Sequence, residues 1–357
     1  MRNLVISRWA LAFLSALMLA FVFGSTVSAG EKKILIKINA HKNPKTPGTA
    51  DMPLMYLTQA IKDRLEERFP GRVQVRIYWD NQLAKTYENA MNALQNNVIQ
   101  LSYFPLNSIA EFTHAAIPLS NLFLFPYPHT QLVYDAYDGE IGRMLSERIL
   151  KDAKVRPVCY WEVGYRHLLN NKKQIETLED LKGMKIRVQP NPVHIESFKA
   201  LGANPTPVTW SEVFTALQQG VVDGTENPYD NIYTARLYEV QKYLTLTGHA
   251  FEMGAYCISE EFYQKLPEDI RVGFDELMAE LTQEFRVGMA KKDEWFKDYF
   301  EKELAANELS AAELEKFAAL VEPMKEMSRK QAGEEYSDTI YEIIKNNQKA
   351  YFEKITK

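Results

Sequence analysis

The sequence predicts an α/β protein of two lobes wrapped by C-terminal helices. Strand and helix patterns alternate through the first two-thirds of the chain, and Gly and Pro punctuate the turns between them. After about Glu260 the text turns long, helical and amphipathic. At 357 residues the chain is long for one domain and comfortable for two. With 46% apolar and 25% charged residues, and no low-complexity tract, like-charge block or internal period, it belongs with globular rather than disordered or solenoid proteins.

Ile34, Ile36 and Ile38 alternate with Lys33, Leu35 and Lys37 as a short, mostly buried strand, and Pro44, Pro47 and Gly48 mark a loop. From Met52 to Phe69, Leu54, Leu57, Ile61 and Leu65 recur at helical spacing up to the stop at Pro70-Gly71. Val73, Val75 and Ile77 form a second strand, Tyr87 to Asn97 a second helix, and Ile99 to Phe104 a third strand. Repeats of this size imply βαβ units and a largely parallel sheet. The middle of the chain repeats the theme. Thr177-Leu-Glu-Asp180 reads as a capping box for a short helix that Gly183 ends. Lys185 to Gln189 is a strand with Ile186 and Val188 on one side and Arg187 on the other. Pro190 and Pro192 break it, and Ile195 to Leu201 is a helix closed by Gly202. Thr209-Trp-Ser-Glu212 is a second capping box, opening the helix of Val213, Phe214, Ala216 and Leu217, which Gly220 closes. Val221 to Gly224 is a short strand or turn leading to Glu226-Asn-Pro228. In the last third, Phe274, Leu277, Leu281 and Phe285 form one helix stripe, continued by Trp295, Phe296 and Tyr299. Asn307 to Ala311 reads as a break, and Ala312 to Tyr351 as further helices.

The N-terminus stands apart from the fold. Arg2 and Arg8 precede the uncharged apolar run Ala10 to Phe23, and Val27-Ser-Ala29 precedes Gly30, the pattern of a secretory signal peptide over 1–29. The run falls short of the ~20 residues a membrane span requires. The expected mature protein lies outside the cytoplasm, and losing two arginines takes its net charge from −5 to −7. Such an acidic chain is a poor match for nucleic acid. Cys159 and Cys257 lie in strand-like text, and sequence leaves open whether they are buried thiols or a disulfide.

Catalytic and metal signatures are missing: there is no GxSxG, HExxH, P-loop or GxGxxG, and the six histidines are scattered. No catalytic residue, metal site or cofactor is therefore expected. His194, on a short helix, reads as a surface or capping residue. Arg187 sits near the carboxyl end of its strand, where open α/β sheets bind ligands. Its guanidinium fork matches a carboxylate, although the position alone favours a surface arginine paired with a nearby acid. Asn227 precedes Pro228, which holds its backbone away from helical geometry; it reads as a ligand contact or as a turn residue. Trp210 either walls a pocket or staples its helix, and Arg166 ends the strand that contains Cys159.

Gly183-Met-Lys-Ile-Arg-Val188, Trp210-Ser-Glu-Val-Phe-Thr-Ala-Leu-Gln-Gln-Gly220, Val221-Val-Asp-Gly-Thr-Glu-Asn-Pro228 and Tyr238-Glu-Val-Gln-Lys-Tyr243 follow in that order. Together they resemble the extracytoplasmic solute-binding subunits of tripartite ATP-independent periplasmic (TRAP) transporters, the dicarboxylate-binding family. The likeness runs over nearly the whole mature chain. It is looser in the N-terminal part, where Ala84 stands in place of the family's usual Gly. It implies a two-lobed periplasmic binding protein fold with hinge strands and a long helix spanning both lobes. The expected division is 30–163 with about 254–292 in the first lobe, and 164–253 with about 293–357 in the second. The resemblance implies Arg187 as the main carboxylate ligand, Asn227 as a further ligand, Arg166 as a second arginine and Trp210 as an aromatic cover. His41 and Tyr103 fall in cleft-lining segments of the first lobe, and Pro105 stands near where some sialic-acid-binding members carry a glutamate, which disfavours that ligand. The implied function is capture of a small organic acid for two integral membrane partners; the alternative is a sensory binding protein presenting the acid to a membrane receptor.

Overall fold

The computed structural model describes residues 33–41 and 53–356. The leader expected at 1–29 and the loop marked by Pro44, Pro47 and Gly48 lie outside them. The first expected strand forms as β1 (Ile34–Asn39), and β2 (Val73–Tyr78) and β3 (Leu101–Pro105) follow at the expected places. Both pair with β1 in parallel. The helix between β1 and β2 spans Pro53–Arg68, and that between β2 and β3 spans Tyr87–Gln95, its start capped by the Thr86 hydroxyl accepting from the Asn89 amide. Farther along, β5 (Lys185–Val188), β6 (Asn204–Pro207) and β7 (Gly224–Pro228) form a second parallel set with β5 central.

Sequence periodicity left unseen how the two sets join. β4 (Val155–Asn170) and β8 (Tyr243–Ser259), of 16 and 17 residues, pair antiparallel from Val155↔Ser259 to Asn170↔Tyr243. At one end β8 pairs with β3, and at the other β4 pairs with β7, so the sheet order is β2-β1-β3-β8-β4-β7-β5-β6. The short β9 (Ala305–Glu308) adds to β8 in parallel. The largely parallel sheet expected from sequence is therefore two parallel halves bridged by an antiparallel ribbon. Register shifts interrupt the ribbon between Glu162 and Gly164 and between Arg166 and Leu168, and Gly164 adopts φ +115°, a conformation L side chains rarely take.

Each half has its own core on both sheet faces. In the first, Ile36, Ile38, Ile61 and Phe274 share one cluster, while Phe104, Ile141 and Cys257 share the other. In the second half, Leu217, Ile232, Leu246, Phe296 and Phe300 pack on one side, and Ile186, Phe198, Leu309 and Phe317 on the other. Cys257 and Cys159 belong to clusters on opposite faces of the sheet, and both are free thiols.

One helix, Glu268–Glu303, carries the whole aromatic stripe and runs from the first core, through Phe274, Leu281 and Phe285, to the second, through Phe296 and Phe300. The C-terminal helices divide differently from the expected boundary at 292/293. Ala311–Val321 packs on the second half through Phe317 and Val321. Glu334–Ile355 instead returns to the first half, where Ile340 and Ile344 join Ile141 and Leu145, and Gln348 Nε2 donates to the Leu124 carbonyl at 2.8 Å. Among the described residues no helix is long and apolar enough to cross a membrane.

Candidate ligand-binding cleft

β5 ends at Val188 with Ile186 and Val188 buried in the second core. Strand alternation therefore turns Arg187 to the opposite face, where it lines a cavity of about 270 Å³ between the two halves. The residue is only 2% exposed. Its Nε and Nη2 donate to the Val208 carbonyl at 2.9 and 2.7 Å, which fixes the plane of the guanidinium. Its Nη1 is buried and has no hydrogen-bond partner. The Trp210 ring centroid lies 5.9 Å from the guanidinium carbon, within cation–π range. Burial lowers the Arg187 guanidinium to about 10, with Glu226 working against that shift and Arg166 adding to it. It remains a cation at neutral pH.

From the first half, His41 and Tyr103 line the same cavity. His41 Nε2 donates to the Tyr103 carbonyl at 2.9 Å, and the two rings meet edge to face. The Tyr103 hydroxyl is buried without a partner. Gly254 on β8, the ladder partner of Pro105, makes room for that ring, since a Cβ there would lie 2.1 Å from the hydroxyl and 2.2 Å from ring carbons. Pro105 also lines the cavity.

Arg166 and Asn227 lie behind this wall and are not among the cavity-lining residues. Arg166 is fully buried and ion-paired with both Glu226 and Glu252, and its Nη2 reaches Glu226 Oε1 at 2.8 Å. Burial would lower its pKa, but the two carboxylates overcome this and hold it raised. Burial likewise opposes ionisation of Glu226, and Arg166 together with His249 nonetheless holds it well below the usual range. Asn227 Nδ2 donates to the Thr225 hydroxyl at 3.1 Å, and its Oδ1 accepts from Arg166 at 3.4 Å. In this arrangement both side chains are engaged with the protein. Glu252 bridges the two layers: it pairs with Arg166 and accepts from Gln189 Nε2 at 2.8 Å while lining the cavity.

His194 departs from the surface position expected of it. It is fully buried, with Nδ1 3.9 Å from Glu226, and burial lowers it to about 4, so it is neutral. Asn191 does the capping instead, its side chain accepting from the Val193 and His194 amides. The second expected capping box also differs: Thr209 Oγ1 donates to Glu212 at 2.6 Å rather than accepting from a helix amide, and a short 3-10 turn carries Trp210 to the cleft.

Sequence reasoning missed Trp79, Tyr87, Gln189, Asp230 and Glu252, all of which line the cavity. Gln189 and Asp230 carried a local signal, lying within three residues of Arg187 and Asn227. Among the described residues no cluster of three His, Cys, Asp or Glu side chains is placed to hold a metal ion.

The chain matches known proteins over most of its length. The model of bacterial extracellular solute-binding proteins, family 7, matches residues 49–332. The C4-dicarboxylate-binding periplasmic protein of Rhodobacter capsulatus is 32% identical over 275 residues, covering 75% of this chain and 77% of that protein. A solute-binding protein of Verminephrobacter eiseniae is 38% identical over 205 residues, 57% of this chain and 59% of that relative's length. Among solved structures, the sugar acid binding protein of Advenella mimigardefordensis in complex with galactonate superposes with a TM-score of 0.81 at 26% identity, covering 89% of this chain and 100% of that one. A TRAP periplasmic solute binding protein of Sulfurospirillum deleyianum with bound succinate gives 0.76 at 29% identity, covering 86% and 97%. With the family's model matched from residue 49 to residue 332, the chain belongs to the bacterial extracellular solute-binding proteins of family 7.

Proposed function

We propose that this protein captures a small organic acid by its carboxylate in the periplasm and delivers it to the integral membrane subunits of a TRAP transporter. The observation that carries the reading is Arg187 Nη1, a buried, partnerless donor on a cation that faces the cleft between the halves. Leaving such a group unsatisfied costs at least ~1–3 kcal/mol, and a carboxylate accepting from it removes that cost. The Tyr103 hydroxyl, also partnerless, offers a second donor from the other half. A ligand that touches both halves favours their closed arrangement by its differential affinity for it. The interrupted register of β4 and β8 around Gly164 is where the ribbon bends most easily. The family membership supports the same reading.

A thermal-shift screen of the mature protein against organic acids tests it. An acid at 100 times its Kd adds about 2.7 kcal/mol of stability, so a true ligand raises the melting temperature by several degrees. A flat response to every carboxylate, at concentrations up to millimolar, contradicts the proposal.

A further inference from the structure

A chain of side-chain hydrogen bonds crosses from one half to the other beside the cleft. Gln189 directly follows β5, continues its alternation onto the Arg187 face and lines the same cavity. Its Nε2 donates to Glu252 Oε1 at 2.8 Å, and its Oε1 accepts from Asn107 Nδ2 at 2.7 Å. Glu252 is the ion partner of Arg166, so it only accepts, and this fixes which way the Gln189 amide points. The amide oxygen is left for a donor, and Asn107 supplies one. Each end of the Gln189–Asn107 bond is carried by a firmly packed element. Ile186 and Val188 of β5 are buried in the second half. Leu106 and Ile109, which flank Asn107 in the short helix Leu106–Ile109, are buried in the first. The two residues are 82 positions apart, so the placement of the halves brings them together. Asn107 is itself buried and is not among the residues that line the cavity.

We propose that Gln189 is a positioning residue that clasps the two halves through Asn107 and Glu252, favouring the closed cleft with protein groups alone. When the halves part, the Gln189 oxygen and the Asn107 amide exchange each other for water, so the bond favours closing by a modest factor, about two- to tenfold. The inference goes beyond the carboxylate reading, since it concerns how the halves close and not what enters between them. Cross-linking of the mature protein without ligand tests it. Lys85 of the first half and Ser211 of the second are exposed and line the cavity. With Lys85→Cys and Ser211→Cys in place, the rate at which a short bismaleimide joins the halves follows the closed population, however small. Forms carrying one of the two substitutions correct for Cys159 and Cys257. Asn107→Ala and Gln189→Ala should each slow the joining at least twofold, and the double variant should be no slower than the slower single, because both remove the same bond. A bond that only stabilises one half would alter urea unfolding and leave this rate unchanged. Rates equal to the parent's in both single variants overturn the clasp, as does slowing in the double variant by the product of the two singles. A parent that does not cross-link also overturns it, because its halves then do not close on protein contacts alone. Each of these outcomes leaves Arg187 as a carboxylate ligand untouched, since no acid is present.

Discussion

Arg166 and Arg187 sit on β4 and β5, with only β7 between them, and both are buried. Arg166 is locked between Glu226 and Glu252, whereas Arg187 keeps one donor uncommitted. Nothing in the local sequence separates them, because the acids that pair with Arg166 lie 60 and 86 residues away. Removing one partner of a buried pair leaves uncompensated charge, so Arg166→Met should cost about 3–5 kcal/mol in urea unfolding. The triple replacement Arg166→Met, Glu226→Gln, Glu252→Gln should recover much of that loss; a single variant as stable as the parent would show that the cluster contributes nothing. Glu162 is a further buried acid, away from Arg166, in a hollow lined also by Tyr134 and Asp293. Burial raises it to about 8, with a hydrogen bond from Tyr134 opposing and Asp293 reinforcing the shift, while Arg286 opposes it. A raised carboxyl favours folding below its unfolded value of 4.5 and loses that contribution as pH rises through about 8. Unfolding free energy should therefore fall between about pH 5 and pH 8.5, by on the order of a few kcal/mol, and Glu162→Gln should flatten that fall. An unchanged slope in the variant would remove Glu162 as its source.

At the scale of elements, short strands and amphipathic helices were legible because hydrophobic period and Gly/Pro punctuation are local signals. Ile186 and Val188 alternate with Arg187, and the stripe from Phe274 to Phe285 is buried as its spacing implies. The ribbon of β4 and β8 was not legible, since its register depends on pairings such as Trp161↔Gly254 between residues far apart in the chain. From the first half, His41 and Tyr103 were legible only through the family resemblance; the space for the Tyr103 ring was hidden, because it depends on Gly254 of β8, two residues from Tyr256, the partner of Tyr103 in the ladder. Gly254→Ala should push the Tyr103 ring out of place, weakening ligand binding about tenfold and costing roughly 1–3 kcal/mol of stability by overpacking. Titration calorimetry giving the parent affinity would show that the ring does not contribute to the site.

At the scale of the whole molecule, two cores are tied by the β4–β8 ribbon, by the helix Glu268–Glu303 and by the return of Glu334–Ile355 to the first half. The cavity lies between the halves, so their relative placement sets its shape. The expected lobe boundaries read the C-terminal helices as one group because all share an amphipathic pattern; which half each one covers is decided by tertiary contacts with residues such as Ile141 and Phe198. Ligand capture depends on Arg187 meeting a carboxylate. Calorimetric titration of the parent, Arg187→Ala and Arg187→Lys with the best acid from the thermal-shift screen measures this directly. Affinity should fall at least tenfold, about 1.4 kcal/mol, in both variants, because lysine keeps the charge but loses the fork. Unchanged affinity in both would contradict the central claim.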